Sequence, residues 1–554
     1  MKSISHKISR LWSFLNRIFR FGKIVVAREV DLRRYKKSID PYKKHHAMKS
    51  ETSTAKLLIA SGRGMNIVWA QIWTLLALCA RTEIPDIYVL TNKKRSFINK
   101  YYALAGLHMI DFGYMLGSSD QKIPDELIKG IAEAVCVADF RSMHVGPVPI
   151  GDIAISTVCR HRGVGQINDF NSKTKMELTH WISAIYKSYE LVKTLIDDLK
   201  ITHTFHTEVF MEEYGGIFYA CLEKELKVIR FAGTIRDNAF IVQKLNFENA
   251  RLHHSSLAGS TWNEIKNRDF DISMDKSVSQ SFQDRYSNKW YRSKRNYPGN
   301  LIEEEKMIYD KLNLSNSKPI AIIFSHILYD SIYFYGSDIY PDYENWLIET
   351  IRIAIENPNI EWIIKLHPSN VWRGEIDSLL GGQTLEEKLI EKNFSVIPSH
   401  LHILNSDCPI SPFGLMQIAT YGLTVRGTSG LEMAALGKAV VTGGTGRYEG
   451  RGFTIDPSNI GEYQEILMNL HHLDKPNSHE TNLARRYAYG IFELKAFTFD
   501  SLIPHLSFGK KSVVGSDDIC YLPRVLSDGQ FGCDVLEFLK FLNDDRSDLL
   551  TNSK

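Results

Sequence analysis

Short apolar runs alternate with helical segments along most of the chain. Early in this pattern, residues 55–60 predict a buried strand, 67–81 an apolar helix and 87–91 a second strand. A loop that contains glycine, residues 61–66, joins the first strand to the helix. The order strand, helix, strand is that of a βαβ unit, which builds a parallel sheet covered by helices.

A second alternating pattern begins after residue 316. Its predicted elements are the strand 319–325, the helix 343–356, the strand 360–366, the apolar segment 394–398, the strand 423–426, the helix 431–436 and the strand 439–442. Two such patterns predict an α/β protein with two Rossmann-like, doubly wound domains that face a central cleft. In sheets of this kind, ligands bind beside the carboxyl ends of the strands.

The length of 554 residues exceeds what one hydrophobic core usually serves. Residues 256–316 are polar and lack a long apolar run, so we interpret them as a connection that contains some helix. The predicted organisation is a basic segment and linker over 1–50, a Rossmann-like domain over 52–255, the connection over 256–316, a second Rossmann-like domain over 317–490 and a helical extension over 491–554.

Apolar residues recur at helical spacing near the N-terminus, and basic residues fill the other face of the predicted helix. The apolar stripe consists of Ile4, Ile8, Leu11, Leu15 and Ile18. This pattern is typical of a helix on an anionic membrane surface, or of an amphipathic helix packed on the protein's own body. Because no stretch reaches the roughly 20 apolar residues of a spanning helix, we expect a cytoplasmic protein. Lipid binding by the helix would place it at the inner face of the cytoplasmic membrane.

Composition and charge exclude several classes of protein. The formal net charge is +3, with 44% hydrophobic and 24% charged residues, which is ordinary for a globular protein and argues against a nucleic-acid binder. Seven cysteines are scattered without the spacing of a zinc site. Asp269 and Asp271 form a DxD triplet of the kind that binds metal in some transferases. No apolar strand precedes them, so a solvated loop is the better interpretation.

The strongest local signal for binding lies within residues 424–452. A predicted strand ends at residue 426, and Thr428, Ser429 and Gly430 fall where a helix begins. A helix N-terminus offers unpaired N–H groups and a positive dipole end, both of which suit a phosphate. Glu432, in the first turn, is a candidate to accept hydrogen bonds from ribose hydroxyls. The alternative is that these residues are simple helix caps and that Glu432 compensates the dipole.

A second signal is the segment 363–370, in which Lys365 and His367 follow a strand and precede a proline. His367 could donate to a phosphate oxygen and Lys365 could supply positive charge, although a lone histidine after a strand is more often structural.

Two further loops carry polar candidates. Ser325 and His326 follow the first strand of the second domain, and Arg447 lies in a glycine-punctuated loop, residues 443–452, that could approach a pyrophosphate or an acidic sugar.

Catalytic candidates in the first half are Glu208 and Asp237, because each follows a probable strand and a carboxylate could take the proton of an attacking hydroxyl. Both could equally be caps or loop carboxylates. Arg63 and Gly64, in the loop after the first strand, are candidates for binding an acceptor. No GxGxxG, P-loop, HExxH or GxSxG pattern occurs, which argues against a dehydrogenase, a P-loop NTPase, a zincin or an α/β-hydrolase.

The combination of KLHP at 365–368, RGTSGLEMAALGKAVVTGGTGRY at 426–448 and GFTIDP at 452–457 resembles the capsule polysaccharide biosynthesis proteins. This bacterial group of GT-B glycosyltransferases includes transferases of the acidic sugar Kdo. The likeness is strong over 317–460 and weaker over 55–250. It implies a GT-B architecture, with the acceptor bound by the first domain and the nucleotide-sugar by the second.

The resemblance also implies roles for individual residues. His367 would contact the nucleotide of a CMP-sugar, Thr428 and Ser429 would form the helix start at the donor, and neither a catalytic metal nor a further cofactor would be needed. Lys365 and Leu366 depart from the commoner proline before the histidine.

We therefore predict a metal-independent glycosyltransferase that uses a nucleotide-activated sugar, CMP-Kdo or another CMP-sugar, in capsule or lipopolysaccharide biosynthesis. Its expected partners are the nucleotide-sugar, a lipid-linked or oligosaccharide acceptor and a membrane surface, but not nucleic acid. Three alternatives stay open: a CDP-glycerol-type polymer transferase, a nucleotide-sugar 2-epimerase, and an inactive scaffold of a polysaccharide assembly complex.

Overall fold

The computed structural model describes residues 29–40, 43, 53–60, 67–92, 96–234, 236, 239–287, 289–290, 301–368, 383–502 and 531–551. The stripe of the N-terminal helix, the loop with Arg63 and Gly64, and Asp237 lie outside the described residues. Within the described ranges, no helix is both long enough and apolar enough to cross a bilayer.

The chain divides into two units, and the first comprises Met1–Ser119, Leu195–Thr207 and Thr498–Asp545. Its elements are β1 Lys56–Ala60, α1 Ile67–Ala80, β2 Asp86–Thr91, α2 Ser96–Leu104, β3 His108–Asp111, α3 Phe112–Ser118, β4 His203–His206 and α18 Cys533–Asn543. The four strands lie parallel in the order β4-β1-β2-β3. Strand order therefore reverses between β1 and β4, as in a doubly wound sheet.

The predicted first βαβ unit is confirmed, and its burial explains why its sequence is so apolar. The last four residues of β1 are buried, and so is nearly all of α1. The polar residues within α1 have buried partners: Gln71 donates to Asp31 at 3.0 Å, and Tyr35 donates to the Gln71 carbonyl at 2.7 Å. A helix that is apolar all round is stable only when it is covered on all sides.

The second unit comprises Asp120–Thr194, Glu208–Phe497 and Arg546–Lys554. Its helices are α4 Asp125–Glu133, α5 Val137–Arg141, α6 Ile150–Arg162, α7 Ser172–Leu199 (whose last turn belongs to the first unit), α8 Glu212–Glu223, α9 Gly259–Asn267, α10 Ile272–Tyr286, α11 Glu305–Leu312, α12 Tyr343–Glu356, α13 Leu385–Asn393, α14 Pro412–Ile418, α15 Thr428–Ala435, α16 Ile460–Met468 and α17 Ser478–Tyr489. A 3₁₀ turn spans Leu470–His472, and a π-helical turn spans Gly490–Leu494. Its strands are β5 Lys227–Gly233, β6 Ala239–Leu245, β7 Ile320–Phe324, β8 Glu361–Lys365, β9 Leu401–Leu404, β10 Tyr421–Thr424, β11 Ala439–Thr442 and the short β12 Phe497–Thr498.

Five of these strands form a parallel sheet in the order β11-β10-β7-β8-β9. The chain leaves β7 towards β8 and β9, and then returns to the other side of β7 to form β10 and β11. The point of reversal lies between β7 and β10, where the loops that follow the two strands diverge and open a crevice. The predicted α/β class with two Rossmann-like sheets is thus confirmed, although the strand that follows β8 lies not in the apolar segment 394–398 but later, at Leu401–Leu404.

The described part of the predicted connection 256–316 contains three helices, and it contributes to the core of the second unit. Trp262 of α9, Phe282 of α10 and Ile308 of α11 are buried in the same apolar cluster as Ile322 of β7. Most polar residues of these three helices are exposed or half-buried, whereas Thr261 and Ser281 are buried. The domain boundaries as a whole stay a prediction.

Gly430 sets how closely α15 approaches its neighbours. A Cβ at this position would overlap the hydroxyl oxygen of Tyr448 and lie 2.8 Å from the Thr424 methyl group. Tyr448 itself donates to the carbonyl of Gly427, the residue that precedes α15, at 2.7 Å. Glycine therefore allows the N-terminal turn of α15 to rest against both side chains.

We predict that Gly430→Ala lowers the free energy of unfolding by about 1–3 kcal/mol, because the added methyl group overpacks a fixed contact. The measurement is urea denaturation, and the control is Gly259→Ala, at a helix start where an added Cβ meets nothing within 4 Å. The control should be neutral or slightly stabilising. Equal losses in the two variants would contradict the packing argument.

Candidate functional site at the carboxyl ends of β7, β8 and β10

A cavity of about 280 Å³ opens at the point where strand order reverses in the five-stranded sheet. Loops after β7, β8 and β10 supply most of its wall. Seven of the nine predicted nucleotide-binding residues line it: Ser325, His326, Lys365, His367, Thr428, Ser429 and Arg447. Its volume lies near the lower end of the range of about 300–1,000 Å³ that is common for small-molecule sites.

The N-terminus of α15 faces this cavity. Gly427 precedes the helix, and no side chain in the described part of the chain caps it. Instead, Thr424 Oγ1 accepts the Gly427 N–H at 3.0 Å. Thr428 and Ser429 form the first turn, where backbone N–H groups lack partners within the helix and the dipole is positive. This end of α15 can therefore bind an anion.

A buried guanidinium group lies beside the same helix end. Arg447 donates to the Arg426 carbonyl and to Thr428 Oγ1, both at 2.8 Å. Its Nε is buried without a hydrogen-bond partner among the described residues, and its side chain forms no ion pair with a described carboxylate. Burial lowers the pKa of Arg447 from its usual value, but a guanidinium keeps its proton at neutral pH.

Arg426 is a second buried guanidinium in the cavity wall, but its charge is compensated. It forms an ion pair with Asp338 and donates to Tyr343 Oη at 3.2 Å. Its Nε, like that of Arg447, is buried without a hydrogen-bond partner in the described ranges. Burial raises the pKa of Asp338 while the neighbouring Arg426 lowers it.

His326 braces the turn between β10 and α15. The Val425 N–H donates to His326 Nε2 at 3.1 Å, which fixes Nε2 as an acceptor, and the ring stacks on Tyr343 with centroids 4.9 Å apart. Burial, followed by the charges of Arg426 and His367, holds its pKa well below the usual range. His326 is therefore a neutral imidazole at physiological pH.

The loop after β8 is joined to the loop after β7, because Ser325 Oγ accepts the backbone N–H of His367 at 2.9 Å. His367 is half-buried at the cavity wall. Lys365, the last residue of β8, is almost fully buried and donates to the Asn405 carbonyl at 2.6 Å. Burial lowers the pKa of Lys365 to about 8.

Glu432 does not line the cavity. Its buried carboxylate accepts from Arg285 Nη1 at 2.6 Å and from Tyr286 Oη at 2.8 Å, so both oxygens are engaged by the protein. Burial raises its pKa, and Arg285 opposes that shift. Glu432 therefore holds Arg285 and Tyr286 by hydrogen bonds, and these two residues line the cavity.

The catalytic candidates and the DxD triplet lie away from the cavity wall or outside the described residues. Glu208 Oε1 accepts the N–H groups of Val209 and Phe210 at 3.0 and 3.1 Å, so this carboxylate caps a local turn. Asp237, Arg63 and Gly64 are not described. Asp271 caps α10 by accepting the Ser273 and Met274 N–H groups, so the DxD aspartate belongs to a helix start and not to a free loop. Among the described residues, no group of three or more His, Cys, Asp or Glu side chains could hold a metal ion.

Five lining residues with charged or imidazole side chains were not predicted: His253, His254, Arg285, Asp330 and Arg426. Arg426 alone had a signal in the sequence, since it stands at the end of a predicted strand directly before the helix start. Among the described residues of the wall, Asp330 is the single carboxylate. It forms an ion pair with Arg160, whose charge also lies within electrostatic range of Glu208.

We predict that sulfate binding weakens on the order of fivefold between pH 7 and pH 9, because the Lys365 ammonium supplies attraction below its folded-state pKa of about 8 and loses it above that pH. Sulfate does not titrate in this range, so calorimetric titration isolates the protein's own groups. The charge-free variant Lys365→Met should bind sulfate more weakly at pH 7 and show a flat profile. If Lys365→Met showed the same pH dependence of sulfate binding as the unaltered protein, the dependence would belong to another group.

No protein-family model and no curated protein matches this chain. Among solved structures, the Thermosulfurimonas dismutans KpsC beta Kdo 2,4 transferase is similar at 13% identity, over 61% of this chain and 87% of that chain, with a TM-score of 0.33. The UDP-GlcNAc 2-epimerase from Neisseria meningitidis, bound to UDP-GlcNAc, is similar at 12% identity over 79% and 97%, with a TM-score of 0.29. A glycosyltransferase from Rickettsia africae is similar at 11% identity over 80% and 93%, with a TM-score of 0.24. Likenesses this distant carry no argument about chemistry.

Proposed function

We propose that this chain is a glycosyltransferase that binds the phosphate of a nucleotide-activated sugar in the cavity at the N-terminus of α15. One observation carries the proposal: Arg447 is a buried cation without a described carboxylate partner, and it lies against a helix end that is itself positive. Buried charges normally have partners. An anionic ligand at this place supplies the missing negative charge.

The rest of the wall supports a phosphate. Four basic side chains line the cavity: Arg285, Arg426, Arg447 and Lys365. Glu432 pairs with Arg285 and Asp338 with Arg426, so Arg447 and Lys365 are the two that form no ion pair with a described carboxylate. When a sugar leaves its nucleotide, negative charge grows on the phosphate oxygens. Fixed donors in a site shielded from water stabilise that charge without reorganising.

Aromatic rings in the wall support a nucleoside beside the phosphate. Tyr343 stacks on His326, and Tyr335 lies with its ring centroid 4.7 Å from that of His253. Such rings provide flat apolar surface for a base or a sugar. The choice of cytidine, and of Kdo as the sugar, rests on the resemblance of segments 365–368 and 426–448.

Asp330 is the group that we assign to accept the proton in an inverting transfer. The acceptor oxygen forms a bond to the anomeric carbon while the bond from that carbon to the phosphate oxygen breaks. The electron pair of the broken bond stays on the phosphate, and the hydroxyl proton passes to the Asp330 carboxylate. Arg160 forms an ion pair with this carboxylate and orients it, and a carboxylate has enough lone pairs to accept a further hydrogen bond.

The finer elements of the sequence prediction belong to this proposal. They are a CMP-sugar donor, a lipid-linked or oligosaccharide acceptor, a capsule or lipopolysaccharide product, independence of metal, and attachment to the inner face of the membrane through the N-terminal helix. CDP-glycerol transfer, 2-epimerisation and a scaffold role are distinguished by which nucleotide binds and whether its release requires an acceptor.

We predict that one of CMP, CDP, UDP and GDP raises the melting temperature selectively. A ligand at about one hundred times its Kd stabilises by about 2.7 kcal/mol, which a thermal-shift titration detects easily. His367→Ala should weaken the response by an order of magnitude or so, because a charged or polar contact to phosphate is worth about 1.5–3 kcal/mol.

The matched control for this titration is His479→Ala, an exposed histidine near the start of α17. It should respond like the unaltered protein. A protein that responds to none of the four nucleotides would contradict the proposal and favour a scaffold.

We predict that Asp330→Asn slows transfer by about 100-fold or more, because a positioned base contributes about 10²–10⁴ to the rate. Nucleotide affinity should change little, since the proposal assigns the carboxylate to the acceptor hydroxyl and not to the phosphate. The assay is the release of nucleotide from the matching sugar donor in the presence and absence of acceptor. Asp310→Asn, on the exposed face of α11, is the control. A loss of less than about fivefold would remove Asp330 from the catalytic step.

A further inference from the structure

Residues 546–551, the clasp segment, lie beside β6 of the second unit, where Asp548 forms an isolated antiparallel bridge with Gln243. The Lys244 N–H donates to the Ser547 carbonyl at 2.7 Å, and the Leu549 N–H donates to the Val242 carbonyl at 2.9 Å. The Thr551 N–H reaches the Leu494 carbonyl at 2.7 Å. Backbone bonds thus fix the clasp segment to β6 and to the π-helical turn, independently of its side chains.

Asp548 is the buried charged residue of the clasp segment. This side chain is 3% exposed, and its Oδ1 lies 2.6 Å from Lys495 Nζ, which is equally inaccessible. The other carboxylate oxygen accepts the N–H of Ala258, directly before α9, at 2.9 Å. Removing one member of a buried pair leaves an uncompensated charge, so this contact is costly to break.

Residues 256–258 are held by three buried groups in succession. Lys495 donates to the Ser256 carbonyl, Tyr487 Oη accepts the Leu257 N–H at 3.0 Å, and Asp548 accepts the Ala258 N–H. Burial lowers the pKa of Lys495, and the charge of Asp548 opposes that shift.

Ser256, together with His253 and Tyr487, is hydrogen-bonded to the loop that contains Arg447. The His253 N–H and Ser256 Oγ both donate to the Gly446 carbonyl, at 2.7 and 3.2 Å, and Tyr487 Oη donates to the Arg447 carbonyl at 2.6 Å. His253, His254 and Arg447 line the cavity. A continuous set of hydrogen bonds therefore runs from Asp548 to the residues that we expect to face the ligand.

We propose that the clasp segment is part of the ligand site, and that Asp548 is a positioning residue that holds His253, His254 and the backbone of Arg447 in place through Lys495 and residues 256–258. No contact between Asp548 and the ligand is required. The affinity part of the proposal rests on anion binding in the cavity, whereas the positioning part does not.

The test is hydrogen–deuterium exchange of the full chain, followed by mass spectrometry, on Asp548→Asn. Amides of residues 253–258 and 445–448 should exchange about tenfold faster than in the unaltered protein, because the local opening that exposes them becomes easier. In the same samples, the affinity for inorganic pyrophosphate should fall by about fivefold or more, as misplacement of a buried donor predicts.

Two further variants separate positioning from general destabilisation. Glu361→Gln alters a buried carboxylate of the same unit that pairs with His402 at 3.2 Å and does not contact residues 253–258. It should leave exchange in both segments unchanged. The double variant Lys495→Met with Asp548→Leu replaces the ion pair by apolar groups, which is often neutral for stability. It should retain the melting temperature and still show faster exchange of residues 253–258.

The outcomes discriminate among the explanations. Unchanged exchange of 253–258 and 445–448 in both Asp548→Asn and the double variant would overturn the proposal. So would equal acceleration in Glu361→Gln, because it would mark a general loss of stability. If the unaltered protein binds no pyrophosphate and no nucleotide, the proposed function fails, while the exchange data still decide the positioning role.

Discussion

Arg447 brings a buried positive charge to the end of a helix whose dipole is positive at the same place. Two like charges in a region shielded from water repel each other. Glu432 lies within electrostatic range of Arg447, but no described carboxylate forms an ion pair with Arg447. Asp338 pairs with Arg426, and Glu432 pairs with Arg285. Thr428 Oγ1 and the Arg426 carbonyl accept hydrogen bonds from the Arg447 guanidinium. Tyr487 donates to the Arg447 carbonyl and Tyr448 to the Gly427 carbonyl, which holds this loop against α15. Donors held in place by hydrogen bonds at a positive helix end are the arrangement that stabilises a phosphate without rearrangement, as the proposed function requires.

Strand order explains why these groups meet. The reversal between β7 and β10 sends the loops that follow these strands in opposite directions, and the loop after β8 closes the third side. Ser325, His367 and Thr428 are far apart in the chain but follow neighbouring strand ends, so a parallel sheet places them around one cavity. This rule also explains why the sequence predicts several of the cavity-lining residues in this half of the chain. Strands and helix starts can be predicted from apolar periodicity and local composition. Ser325, Lys365, His367, Thr428 and Ser429 were selected on that basis alone.

The remaining features depend on packing that local patterns do not contain. The orientation of Glu432 depends on α10, whose Arg285 and Tyr286 bind its carboxylate. The sequence alone identifies α10 only as part of a connection between domains. Glu208 was selected for its place after a strand, but its carboxylate folds back onto its own turn. His253, His254 and Asp330 reach the cavity from loops whose course is set by contacts with distant residues, and Ser331 and Tyr333 adopt positive φ values of 56° and 68° that no sequence pattern announces. The sequence therefore predicts those cavity-lining residues whose positions follow from strand ends and helix starts. It misses those whose positions depend on tertiary contacts.

The most direct measurement of the central claim is a crystal structure of the full chain with the nucleotide that stabilises it most. The account predicts phosphate oxygens within hydrogen-bonding distance of the backbone N–H of Ser429 and of the Arg447 guanidinium, with the base against Tyr335 or Tyr343 and with little movement of α15. A nucleotide bound elsewhere, or bound with its phosphate away from the N-terminus of α15, would contradict the account and leave the charge of Arg447 unexplained.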